Sequence, residues 1–462
     1  MKSMHDFFFI SIIISCEILS TINGNPRINP KAKSWSETPN TSHDHQRRNH
    51  INSSSIPDEK WDYIEVRPGA HMFWWFHGYI GQSKSRQDIP LVLWMNGGPG
   101  DSSVGRGSFY QIGPVQMNLT PRQNTWLKQV NLLFIDYPVG VGFSYVSYPS
   151  AYSTTDVQVG QDLYHVIAEV LRKITALQNV PLYIIGESYG GKIGAILGHQ
   201  LIQGNLAGQI QCNFRGTILS SPFISPMDTA ASYGPFLYAM SLIDDTELNQ
   251  LNQHVEKIKS LIATGNNKEA SRQFYVMLYI MLELTANVNI YYVRMHFPIN
   301  IFARLVNTAD ENSSNNNNNP SEMYKTMNGP IRKKLGIIPE NITFADSNPA
   351  VGSYLDPSFV TEVTEYVDHL LAANVSVMIV NGQFDGIVNI LSYQKWLKKL
   401  KWSHLNQFSN TQKLPVYDSN ERIVGYKQSY KNLEYCTILD TGHSPTLRIP
   451  YKLMEPFQPG LT

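Results

Sequence analysis

Three cysteines in 462 residues are too few for a disulfide framework. Cys16 falls in an N-terminal apolar run, which leaves Cys212 and Cys436 to pair or to remain thiols, and their spacing does not choose between the two. Net charge is also lacking: Lys+Arg 37 balances Asp+Glu 37. That excludes the basic footprint of a nucleic-acid binder and any strong pull toward an anionic membrane surface. No run of about eighteen apolar residues occurs, so nothing in the mature chain reads as a membrane span. With 42% hydrophobic and 16% charged residues, the chain can build an ordinary core. Its length suits one large α/β domain carrying an insertion, or two domains.

The N-terminus does hold a short apolar run, Phe7 to Ile14, after Lys2 and before small and polar residues. Residues 1–24 are therefore expected to be a secretory signal peptide. Residues 25–58 are polar and rich in Ser, Asn and His. They offer too little apolar surface to offset the entropy of ordering them, so a disordered segment is expected. Asn40, Asn52, Asn118, Asn312, Asn341 and Asn374 each begin an Asn-x-Ser/Thr sequon, and together with a signal peptide they predict glycosylation.

From residue 59 the pattern changes. Trp61 to Val66 and His71 to Phe76 read as a hairpin turning at Arg67-Pro68-Gly69-Ala70. Phe73-Trp74-Trp75 could serve as a sugar-stacking platform, but strand packing accounts for it more simply. Leu91 to Trp94 is a continuous apolar run of the kind buried on both faces of a parallel sheet; Asn131 to Asp136 reads as a second buried strand, the short apolar run Leu182 to Ile185 as another, and Thr217 to Ser220 as a further strand. Between them, Thr155 to Ala176 and Lys192 to Gln203 carry helical periodicity. Strands alternating with amphipathic helices predict an α/β fold with a mostly parallel central sheet covered on both sides. Strand grammar then lapses over 225–332, where Asp244-Asp245-Thr246-Glu247 reads as a capping box and helical periodicity runs on to Tyr291. We expect a helical insertion there, lying as a lid over the sheet's active edge, with the asparagine run 315–319 as a mobile loop. The core thus divides into 59–224 and 333–462. In the second part Pro357 to Ala373 and Ile387 to Leu400 read as helices, and Val375 to Val380, Ile423 to Tyr430 and Leu433 to Leu439 as strands.

Ligands of an open parallel sheet bind beyond the carboxyl ends of its strands. Gly186-Glu187-Ser188-Tyr189-Gly190-Gly191 lies at such an end, in a strand–turn–helix setting that holds a serine up on a tight turn. Asp385 follows the strand ending at Val380, and His443 follows the last strand, unlike His369 on a helix and His404 in a loop. The order Ser188, Asp385, His443 is that of the α/β-hydrolases. A serine hydroxyl needs an imidazole to take its proton, and the imidazole needs a carboxylate to orient it and stabilise its cation.

These motifs, with Trp94-Met95-Asn96-Gly97-Gly98-Pro99-Gly100-Asp101-Ser102-Ser103 and Gly442-His443, resemble those of the serine carboxypeptidases. The likeness runs from about Trp61 to the C-terminus. Trp61-Asp62-Tyr63, Met72-Phe73-Trp74-Trp75, Met327 to Leu335 and Lys401-Trp402 resemble one branch of that family. The resemblance implies an α/β-hydrolase fold and release of C-terminal residues from peptides or proteins through an acyl-enzyme, with no metal or organic cofactor. It implies Ser188 as nucleophile, His443 as base and Asp385 as its orienter. The N–H groups of Gly98 and Tyr189 would form the oxyanion hole. Asn96, Gly97, Gln111 and Glu187 would hold the substrate's terminal carboxylate. It also suggests a secreted or lysosomal setting in the secretory pathway. The same triad would suit an esterase or acyltransferase, and a secreted homologue without catalysis is a third reading. The chain departs from the family pattern in three places: Gln111 replaces a glutamate, the segment Ser444-Pro445-Thr446 replaces an apolar Met-Val-Pro, and Asp101 replaces a cysteine.

Overall fold

The computed structural model describes residues 56, 58–81, 88–297, 321–418 and 420–447. The expected signal peptide, Asn40, Asn52, Asn312 and the run 315–319 lie outside the described residues. The chain folds around an eleven-stranded sheet. In sequence order the strands are β1 (Glu59–Arg67), β2 (Ala70–His77), β3 (Leu91–Met95), β4 (Asn131–Ile135), β5 (Tyr145–Val146), β6 (Pro181–Glu187), β7 (Asn213–Ser220), β8 (Ser376–Gly382), β9 (Leu414–Tyr417), β10 (Ile423–Tyr430) and β11 (Leu433–Ile438). Across the sheet they run β1-β2-β4-β3-β6-β7-β8-β11-β10-β9, with β5 against β2. The stretch from β4 to β11 is parallel, and antiparallel pairs close each side.

The two-residue period of a strand explains why both faces are dry. On β3, Leu91, Leu93 and Met95 enter one core with the helices Asp156–Lys173 and Tyr189–Leu206, while Val92 and Trp94 enter the other. On β2, Met72, Trp74 and Phe76 take the first face, and Phe73 and Trp75 the second. The aromatic run at 73–75 is thus core packing. Residues 226–284 supply the helices Pro226–Ala239, Asp245–Ala263 and Asn267–Leu284, with their own core of Leu251, Ile258, Phe274 and Met277, which also takes in Phe359. Asp244 and Glu247 do form the capping box.

Several boundaries differ from expectation. Helix does not continue to Tyr291: it stops at Leu284, and Ala286 and Asn287 take left-handed backbone conformations that a helix cannot hold. The expected helix 357–373 is two helices, Pro349–Phe359 and Thr364–Ala372, because Val363 N–H bonds to the Ile224 carbonyl at 3.0 Å and pulls the chain off its axis. Asn389 caps the next helix, so it begins at Ile390 and not at Ile387. Strands β5 and β9 and a π-helical segment, Ser103–Gln111, were not anticipated by periodicity. Cys212 and Cys436 are both free thiols; Cys212 is bonded to Asn205, and Cys436 is buried in β11.

Candidate active site

Parallel register decides which loops meet. Met95 of β3 lies opposite Gly186 of β6, so Asn96-Gly97 emerges beside Glu187-Ser188. Ile438 of β11 lies opposite Gly382 of β8, so the Asp385 and His443 loops leave the same edge together. Ser188 stands between β6 and the helix Tyr189–Leu206 at φ 61° and ψ −122°, the outlying backbone of a tight elbow. Its N–H donates to Ser220 and its carbonyl accepts from Phe223, at 2.9 and 3.1 Å. Gly97 must be glycine here, since a Cβ would fall 2.7 Å from Ser188 Cβ and 2.9 Å from the Glu187 carbonyl.

Asp385 is fully buried. Its Oδ1 accepts the N–H groups of Ile387 and Val388, each at 3.0 Å, and its Oδ2 lies 2.9 Å from His443 Nδ1. His443 is held by its own N–H on the Tyr291 carbonyl at 2.9 Å, with the Tyr291 ring edge-on to the imidazole. Burial works against the imidazolium, but Asp385, with Glu187 and Asp101 further off, outweighs it and raises the His443 pKa. The half-buried Ser188 hydroxyl forms no hydrogen bond among the described residues. Hydroxyl–imidazole contacts commonly tighten only when substrate is bound. The N–H groups of Gly98 and Tyr189 likewise meet no acceptor among the described residues.

Beside the elbow lies a polar chain. Trp94 Nε1 donates to Asn96 Oδ1 and to Gln111 Oε1, both at 2.9 Å. Asn96 Nδ2 donates to the same Gln111 oxygen at 2.9 Å, and Gln111 Nε2 reaches Glu187 Oε1 at 3.4 Å. Glu187 Oε2 is buried and accepts no hydrogen bond among the described residues. Burial raises the Glu187 pKa and Asp101 adds to the rise; His443, Ser444 and Gln111 oppose it. The four residues expected to hold a carboxylate are therefore neighbours, and one carries an unsatisfied oxygen.

Sequence reasoning did not single out some supporting groups. The Tyr137 hydroxyl donates to the Asn96 carbonyl. Arg106 makes a two-pronged contact with Asp346 and lies 3.6 Å from Asp101. Asp136, buried at the end of β4, accepts from Ser102 Oγ, Val104 N–H and Phe143 N–H, and burial pushes its carboxyl up to about 7. A carboxylate ending an apolar strand was the available signal for Asp136; Arg106 had none.

A family model described as Serine carboxypeptidase matches residues 52–458. The retinoid-inducible serine carboxypeptidase of Homo sapiens is 36% identical over 402 residues, covering 83% of this chain and 87% of that one. Serine carboxypeptidase-like 51 of Arabidopsis thaliana is 34% identical over 459 residues, covering 94% of each chain. Among solved structures, a prohormone-processing carboxypeptidase from Saccharomyces cerevisiae superposes with a TM-score of 0.72 at 19% identity, covering 88% of this chain and 92% of that chain, which shows a shared fold.

Proposed function

The chain belongs to the serine carboxypeptidase family, and from that premise we propose how its residues divide the work of releasing a C-terminal residue from a peptide. It is a serine-type hydrolase of α/β-hydrolase fold. Ser188 Oγ attacks the last peptide carbonyl while His443 takes its proton, and Asp385 orients the imidazole and stabilises its cation. The developing oxyanion is received by the Gly98 and Tyr189 N–H groups, the latter opening a helix whose dipole favours negative charge. His443 then protonates the leaving amine; water, deprotonated by the same imidazole, attacks the acyl carbon, and the imidazolium returns that proton to Ser188 Oγ as the acid departs. Asn96, the Gly97 N–H, Gln111 and Glu187 hold the free carboxylate at a fixed distance from Ser188, which restricts cleavage to chain ends. The observation that supports this reading best is the 2.9 Å Asp385–His443 contact on the sheet edge that carries Ser188. Hydrolysis of an N-blocked dipeptide, lost when its carboxyl is amidated, separates this activity from ester hydrolysis or acyl transfer.

Two carboxylates can bond only when one is protonated. Gln111 Nε2 has one hydrogen toward Glu187 and a second to offer the substrate at any pH, so binding depends less on acid than it would with a glutamate there. Passage through the secretory pathway to a secreted or lysosomal site follows from residues 1–24 and the sequons. Asn118, Asn341 and Asn374 are exposed, as glycan acceptors must be. Among the described residues no helix is long and apolar enough to cross a membrane.

A further inference from the structure

Lys192 is completely buried, one turn into the helix that follows the nucleophile. Taking an ammonium and a carboxylate out of water costs about as much as their attraction returns, so such a pair does little for stability. Lys192 Nζ lies 2.6 Å from Asp156 Oδ2 and donates to the Ser358 and Phe359 carbonyls at 3.1 and 3.0 Å. Burial pulls the Lys192 pKa down and Asp156 opposes that pull. The other Asp156 oxygen, Oδ1, accepts the Tyr189 hydroxyl at 2.7 Å, and the Asp156 N–H donates to Ser358 Oγ at 2.9 Å. The Asp156–Lys192 pair therefore ties together the start of the helix Asp156–Lys173, the first turn of Tyr189–Leu206 and, through Lys192 Nζ and the Asp156 N–H, the end of Pro349–Phe359.

Tyr189 and Lys192 are three residues apart, on one face of that first turn. Anchoring both to one carboxylate stops the turn from rotating about its axis. Rotation would swing the Tyr189 N–H, which adjoins a serine already in an outlying conformation. We propose that the Lys192–Asp156–Tyr189 network is a positioning device for the oxyanion hole, with Asp156 and Lys192 acting on the transition state through the Tyr189 N–H. This rests on the role given to that N–H above. A misaimed oxyanion donor weakens binding of the tetrahedral state while leaving ground-state binding almost untouched.

The test compares Tyr189→Phe and Lys192→Met with wild type on an N-blocked dipeptide, using a peptidyl phosphonate as mimic of the tetrahedral state. Arg67→Met is the control, because Arg67 forms a comparable pair with buried Asp162 at 2.7 Å, on a strand that carries no site residue. We expect Tyr189→Phe to lower kcat about tenfold with KM within about twofold, and the mimic to bind about tenfold more weakly. Arg67→Met should lower the melting temperature and leave kcat unchanged. Unchanged kcat in folded Tyr189→Phe, or an equal kcat loss in Arg67→Met, overturns the proposal. If Lys192→Met does not fold, Tyr189→Phe decides alone. Fluorophosphonate labelling of wild type that disappears in Ser188→Ala checks the triad separately, so a failed brace and a failed triad give different results.

Discussion

A carboxylate that accepts two backbone N–H groups on one oxygen and an imidazole on the other has little freedom to turn, and Asp385 is placed that way. Asp385→Asn should lower kcat by about 10⁴, the loss expected when the imidazole is held in the wrong tautomer. It also removes the strongest influence raising the His443 pKa. Because the base must be neutral, the acid limb of kcat/KM should move to lower pH in that variant, and a pH–rate profile checks it. In Gln111→Glu, KM for a free-acid dipeptide should rise more steeply with pH than in wild type, since two carboxylates and the substrate must then share protons. Superimposable KM–pH profiles would discard the role given to Gln111.

The elements that carry chemistry are held from outside the sheet. Residues 287–297, after the helix Asn267–Leu284, bind both the Asp385 and the His443 loops: Gly386 N–H donates to the Ile290 carbonyl and His443 N–H to that of Tyr291, each at 2.9 Å, while Val293 N–H donates to that of Phe384 at 3.0 Å. The helices before this segment are a separate matter. Asp244→Ala breaks the capping box of Asp245–Ala263 and should cost about 1 kcal/mol. Thermal melting should show that loss while kcat stays unchanged. Sequence periodicity found the central strands, though not β5 or β9, and the loops beyond them, because a strand buried on both faces leaves a continuous apolar run, as Leu91 to Met95 does. It missed the bracing at 287–297 and the break between Phe359 and Thr364 because both are set by backbone bonds to distant residues. Ser188, Asp385 and His443 could be named from where they stand in the strand grammar. The Lys192–Asp156 contact could not, since nothing in a single sequence pairs two helices.

Burial of ionisable groups makes the stability of the fold depend on pH. His77 is buried against Trp75 and Phe134, and burial, helped by Lys334, pushes its pKa down to about 3. The folded value lies below the unfolded one, near 6.5, so protons bind the unfolded chain more readily. The stability held above that value is lost as pH falls from about 6.5 toward about 3. Denaturant unfolding at pH 7 and pH 4.5 should show wild type losing more stability than His77→Phe over that interval. An equal loss in both would mean that other groups govern acid sensitivity. The resemblance to serine carboxypeptidases covers this same molecule from the first hairpin to the final loop, and the family match confirms it.

In the proposed mechanism Ser188, activated by His443 and Asp385, cuts beside a clamp for a terminal carboxylate. The most direct measurement is release of free amino acid from an N-blocked dipeptide by wild type and Ser188→Ala, with the C-terminal amide as comparison. Wild type should release amino acid from the free acid only, and folded Ser188→Ala should release none. Equal cleavage of the amide, or undiminished release by Ser188→Ala, would contradict it.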